Sequence, residues 1–169
     1  MISPRNLFFF TFTEKDFLRF SFKRLKPNQT SRFPEFPYIS PCGPEMNYVR
    51  CDDIPIVFTK VLHIDNETVL SYNNGEERLV FPFSPERVCM QPSTGRVYHP
   101  GPVKCGGVGL IKSLIAIEWS KDFHYENGTH EDNDPPTHFT WDGKKYKLSN
   151  DLFNVIAQLS ALPTNMPEQ

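Results

Sequence analysis

The sequence predicts a single α+β domain, a mainly antiparallel sheet of short strands with one helix near the N-terminus and one at the C-terminus. Three observations predict it. Sixteen prolines among 169 residues keep the elements short, because each lacks an amide donor and biases the residue before it towards extended geometry. Asn73-Asn74-Gly75 and Asp142-Gly143 each stand between β-prone runs, and these residues tolerate the positive φ that tight hairpin turns demand. Helical spacing of apolar residues behind a capping residue occurs near the two ends. A chain of this length buries roughly 70% of its unfolded surface, so the core needs no staples. The expected bounds are residues 1–163 for the domain and a disordered tail over 164–169.

Taken in order, Thr13 is suited to cap a helix, with Asp16 three residues on and acids in the first turn. Phe17, Leu18, Phe20, Ser21, Arg24 and Leu25 follow helical spacing. Lys23, Arg24 and Lys26 crowd the end where the dipole favours cations, and Pro27-Asn28 stops the helix. Nine of the 15 phenylalanines lie in the first 36 residues, and aromatic stripes at this spacing usually meet a core. Ser40-Pro41-Cys42-Gly43-Pro44 reads as a turn and Met46 to Cys51 as a strand. Asp52-Asp53-Ile54-Pro55 interrupts, and Ile56 to Ile64 is the most β-prone run.

Thr68 to Phe83 reads as a hairpin about Asn73-Asn74-Gly75. Arg96 to Pro102 is a short extended piece whose prolines keep it at a sheet edge. Cys105-Gly106-Gly107-Val108-Gly109 lacks Gly-Lys-Ser/Thr and G-x-G-x-x-G, so its glycines serve close packing or a bulge rather than a phosphate. Leu110 to Trp119 fits both periods, and β-branching favours a strand. Glu126 to Pro136 is an acidic loop containing His130. Phe139 to Leu148 is a second hairpin. Ser149 caps a helix over Asp151 to Leu162, whose Leu152, Val155, Ile156, Leu159 and Leu162 form one stripe.

Charge narrows the functional classes. Residues 1–32 carry seven Lys or Arg against two acids, within a chain of net charge −2. A solvated helix face and an acidic loop explain this better than a nucleic-acid footprint, which favours a strongly basic chain. Cys42, Cys51, Cys89 and Cys105 are too scattered for a disulfide framework. Cys42, Cys51 and Cys89 with His99 match no zinc spacing, so buried free thiols and no metal are expected. No run approaches the ~18 to 20 apolar residues of a membrane span. Leu7 to Phe12 imitates a signal-peptide core but ends at Glu14 without a cleavage site, which argues for an intracellular protein. The Asn-x-Thr triplets at Asn28, Asn66 and Asn127 then read as polar turn residues.

Several longer motifs carry a resemblance: F-x-F-K-R-L-K-P-N at 20–28, F-P-Y-I-S-P-C-G-P-E-x-N-Y-V-R-C-D-D-x-P-I-V-F-T at 36–59, G-R-V-Y-H-P at 95–100 and G-G-V-G-L-I-K-S at 106–113. In order and spacing these resemble the uncharacterised family that includes the product of chromosome 8 open reading frame 82. The resemblance implies no activity, cofactor or catalytic residue. Animal members look to begin with an Arg-rich, acid-poor leader of mitochondrial type, followed by an aromatic hairpin before the first helix. The resemblance therefore implies a mitochondrial setting for an intracellular protein. This chain begins close to that helix, so the expectation is a sheet short of two strands or an incomplete start.

Two function classes follow. The first is a non-catalytic module binding an unknown protein or small molecule, without cofactor, through Phe9, Phe10, Lys23, Arg24, Lys26 and Arg32. The alternative is an enzyme whose site gathers Cys42, Glu45, Arg50, Asp52, Asp53 and His99. There a thiol activated by an imidazole, or two carboxylates of separated pKa, would work beside an anion-holding arginine. Adjacent strand residues point to opposite faces, so Asp52 and Asp53 are better read as shaping a turn before Pro55, with Arg50 paired to Glu45. Convergence of Cys42, Glu45 and His99 in one hollow would favour the enzyme. RNA binding through the basic, aromatic N-terminal region is a weaker third reading, without an RRM-type aromatic signature or a GXXG clamp.

Overall fold

The computed structural model describes residues 15–126 and 134–160. Helix α1 spans Lys15–Lys23 and turns Ser21, Phe22 and, just beyond its end, Leu25 towards the core, while Phe20 is exposed. Phe20 thus departs from the expected stripe, and the Arg24 guanidinium lies 4.3 Å over its ring. Thr13 lies outside the described residues.

Strands β1 (Lys26–Pro27), β2 (Tyr38–Cys42) and β3 (Glu45–Val49) form an antiparallel three-stranded sheet with β2 in the middle. The turn expected over Ser40 to Pro44 is therefore narrower, because β2 runs through Pro41 and reverses at Gly43, whose φ is +62. Pro41 pairs in register with Met46, and β1 reaches only Tyr38 and Ile39 on the other side. A strand segment open on one side tolerates a residue without an amide hydrogen. Asn28 ties the intervening loop, donating from Nδ2 to the carbonyls of Arg32, Phe33 and Phe36 and accepting from Thr30.

Strands β4 (Val57–Ile64), β5 (Glu67–Tyr72), β6 (Val80–Pro82), β7 (Cys89–Met90), β8 (Val97–Pro100) and β9 (Val108–Ile111) make a six-stranded sheet ordered β6-β5-β4-β9-β8-β7. Neighbours are antiparallel except β4 and β9. Asp65 and Asn66, with φ of 50 and 65, close a two-residue hairpin, which places Asn66 in a turn as the sequence reading has it. Asn73 joins the next turn to the start of β4: its Oδ1 accepts the Val57 amide and its Nδ2 donates to the Pro55 carbonyl.

Two expectations are corrected here. Strand β8 is no edge, since it lies between β9 and β7 with all four residues buried. The strand expected over Leu110 to Trp119 is instead the end of β9 followed by helix α2 (Ser113–Trp119). Beyond Ile111 no partner continues β9, because its parallel pairing with β4 covers only Val57 and Phe58. The helix turns Ile115, Ala116 and Trp119 to the core and leaves Leu114 and Ile117 exposed. Apolar residues on both its faces imitate strand alternation.

Strands β10 (Phe123–His124), β11 (His138–Trp141) and β12 (Lys144–Lys147) form a third, antiparallel sheet turning at Asp142-Gly143. Helix α3 (Phe153–Ser160) buries Ile156 with Leu152 just ahead of it. The Ser149 hydroxyl donates to Asp151 Oδ1 rather than accepting from a helix amide. His130 and Leu162 lie outside the described residues.

The fold class is α+β, with three α-helices among the described residues rather than two. Alternation in the main sheet feeds two apolar clusters. Ile56, Phe58, Val97 and Ile111 pack with Trp119 and Phe139, while Ile54, Tyr98 and Val108 pack with Leu152 and Ile156. No helix among the described residues is long and apolar enough to cross a membrane.

Candidate ligand-binding cleft

Between β3 and β4 the chain crosses an irregular stretch, Arg50 to Ile56, that contributes little to any ladder. One side chain pins it. Asp53 Oδ2 accepts Nη1 of Arg96 at 2.8 Å and the Tyr98 hydroxyl at 2.9 Å. Arg96 is presented by the tight β7–β8 turn, where Gly95 adopts φ +69, the Gln91 amide donates to the Arg96 carbonyl and the Arg96 amide donates to Thr94 Oγ1. Burial, and next the Asp53 hydrogen bond, push the Tyr98 phenol up to about 12, so it remains a donor.

The pinned loop, the β7–β8 turn and α2 line an open cleft of about 680 Å³. Its floor is apolar, from Val57, Val97, Leu110 and Ile111, and Ala116 and the exposed Ile117 form the helical wall. Asp52, Asp53 and Arg96 are its charged residues. Cys51 also lines it, and burial, then the Asp53 and Asp52 charges, push this thiol up to about 11. At neutral pH it is a protonated, weakly polar group rather than a nucleophile.

The six residues singled out from sequence as an enzyme site separate into four places. Asp52 and Asp53 reach the cleft. Cys42 and Glu45 face each other at the far end of the β2–β3 hairpin, where Cys42 Sγ lies 3.7 Å from the Ser21 hydroxyl and Glu45 is exposed. Arg50 follows the opposite end of β3. The five residues of strand between Glu45 and Arg50 span about 16 Å.

His99 lies in the core with no exposure. Its Nε2 accepts the Ser84 amide at 2.9 Å, and its Nδ1 faces the Pro100 carbonyl at 2.8 Å, which makes Nδ1 the protonated nitrogen;. Phe58, Phe81 and Phe83 surround the ring, and burial lowers the imidazole to about 4. Both nitrogens are engaged by backbone, so Cys42, Glu45 and His99 share no hollow. All four cysteines are free, and no group of three or more His, Cys, Asp or Glu among the described residues is arranged to hold a metal.

Lys23, Arg24, Lys26 and Arg32 are exposed. Lys104, which sequence reasoning passed over, joins them by donating from Nζ to the Lys23 carbonyl. Phe9 and Phe10 lie outside the described residues. Arg96 was also missed in the sequence, and Cys51 was read there only as a buried free thiol. The Thr94-Gly95-Arg96 turn was a local signal, but nothing local links it to an aspartate 43 residues earlier.

A family model described as a domain of unknown function (DUF4505) matches residues 4–153. No solved structure matches the chain.

Proposed function

The chain belongs to the DUF4505 family, a domain of unknown function, and we propose that it is a non-catalytic binding module whose cleft beside α2 receives a small molecule with an apolar body. One observation carries this reading: the Arg50–Ile56 loop and the β7–β8 turn, locked to each other by Asp53, Arg96 and Tyr98, meet α2 around an apolar floor. A preformed hollow of a few hundred Å³, mostly apolar with a few fixed polar groups, is the usual form of a ligand site. The protonated thiol of Cys51 and the committed nitrogens of His99 weigh against the enzyme alternative, as does the distance in the fold between the Cys42–Glu45 end of the β2–β3 hairpin and the buried His99. Likeness to the family of the chromosome 8 open reading frame 82 product supports an intracellular, mitochondrial setting.

The test is amide chemical-shift mapping with a set of small apolar and amphipathic molecules. Saturable shifts are expected at Ile54, Arg96 and Ile117. Ser113→Trp, at an exposed cleft-lining position, should abolish them by filling the hollow. Shifts confined to other surfaces, or unchanged in that variant, would contradict the reading.

A second surface supports a protein partner. Lys23, Arg24, Lys26 and Arg32 remain the proposed contacts, together with Phe9 and Phe10, and the arrival of Lys104 favours an acidic partner. A Lys23→Ser/Arg24→Ser/Lys26→Ser variant should stay folded and lose that partner in affinity purification. Salt-sensitive capture of an oligonucleotide by the unaltered chain, lost in the same variant, would favour the RNA reading instead.

A further inference from the structure

We infer that the cleft selects an organic cation, an ammonium head carried on an apolar body. The inference rests on the cleft being a binding site and adds the chemical class of its occupant. Two carboxylates and one guanidinium are the charges on its lining, and they are not equivalent. Arg96 is spent on Asp53 at 2.8 Å, which leaves the exposed carboxylate of Asp52 as the charge that no ion pair among the described residues offsets. Asp53 has further capacity, because the Arg96 and Tyr98 donors both converge on Oδ2 while Oδ1 accepts from no described residue. A carboxylate carries about four lone-pair sites. One exposed acid and one half-used acid therefore occupy consecutive positions on the lining of a mostly apolar cleft.

An ammonium group there would find Asp53 Oδ1 open to it and the exposed Asp52 on the neighbouring residue, with Val57, Leu110 and Ile117 on the same lining to receive its apolar chain. An anion would meet both carboxylates and would have to draw Arg96 away from Asp53 to find a counter-charge. That rearrangement would loosen the loop that forms the wall. A neutral amphiphile would gain the floor and leave these charges unused. The field of the two carboxylates is expressed in the cleft's own thiol, since both aspartates add to the upward push on Cys51.

Octylammonium, octanol and octanoate, each below its aggregation threshold, separate these cases by amide chemical-shift titration of the full chain. Octylammonium is expected to shift Asp52, Ile54, Arg96 and Ile117 saturably, with octanol and octanoate weaker there. Asp52→Asn, at an exposed position, should weaken octylammonium about fivefold, as loss of one solvent-facing ion pair implies, and leave octanol unchanged. Octanol or octanoate binding the cleft as tightly as octylammonium, or an unchanged octylammonium affinity in Asp52→Asn, would overturn the cationic class and leave the cleft standing as a site. Failure of all three probes to shift the cleft would overturn the site itself.

Discussion

The Tyr98 hydroxyl donates to Asp53 Oδ2 at 2.9 Å across 45 residues of chain, joining an irregular stretch to a buried strand of the main sheet. Tyr98 is 2% exposed, so removing the acceptor strands a buried hydroxyl and releases the loop together. Asp53→Ala is expected to cost about 1 to 3 kcal/mol in urea denaturation, and Tyr98→Phe about 1 kcal/mol. Since both act through one oxygen, the double variant should cost less than the sum. A loss below about 0.5 kcal/mol for Asp53→Ala, the range of an ordinary surface change, would show that the loop is held by something else.

His99 gives stability a pH dependence with a definite sign. Burial holds its imidazole at about 4 against 6.5 for the free group. Between those values the unfolded chain binds a proton that the native state refuses, so stability falls as pH falls from 6.5 to 4, and this group takes nothing further below that. The whole contribution is about 3 kcal/mol. His99→Gln retains an acceptor for the Ser84 amide and a donor for the Pro100 carbonyl, and removes the titration. Urea midpoints across this pH range should therefore slope less in the variant. Equal slopes in the two proteins would mean that the buried ring takes its proton in the native state.

What the sequence made legible was local. Asp142-Gly143 and Asn73-Asn74-Gly75 announced reversals because positive φ is a property of a residue and its neighbour, and the β-branched run before Ile64 needed no distant information. Helix α2 was not legible, because Leu114 and Ile117 face solvent beside core-facing Ile115 and Ala116, which hides a helical period inside an alternating one. Strand β2 extends through Pro41 because its outer neighbour stops at Ile39, a fact of sheet geometry. His99 looked chemical by its type, and its surroundings were decided by Phe58, Phe81 and Phe83 arriving from two other strands and a loop. Of the cleft, the sequence offered Asp52 and Asp53, while their relation to Arg96 and α2 depends on the parallel pairing of β4 with β9.

Gly109 should tolerate no side chain. It lies opposite His99 in the β8–β9 ladder, and a Cβ there would stand 2.3 Å from Phe58 Cε2 and 2.9 Å from Ile56 Cγ2. Phe58 is fully buried against the rings of Tyr72, Phe81 and His99, so it has nowhere to turn. Gly109→Ala is expected to cost about 3 kcal/mol or more, the upper range for overpacking a core. Adding Phe58→Leu should restore part of that in thermal melting. A Gly109→Ala protein as stable as the parent would contradict the close approach.

Cys51 lines the cleft and should nevertheless be slow to react. With its thiol raised from 9.0 to about 11, the thiolate population is roughly a hundredfold smaller than in the unfolded chain, and alkylation proceeds through the thiolate. Iodoacetamide at pH 7.5, with peptide mapping of time points, should modify Cys51 at least about a hundredfold more slowly in the native protein than in urea. The native rate should climb about tenfold per pH unit up to pH 10 or so, as the thiolate fraction grows. Rapid modification of Cys51 at neutral pH would mean that the two aspartates and the burial fail to hold the proton on sulfur. That outcome would return nucleophilic chemistry to the cleft, at a position two residues from the carboxylate that anchors it.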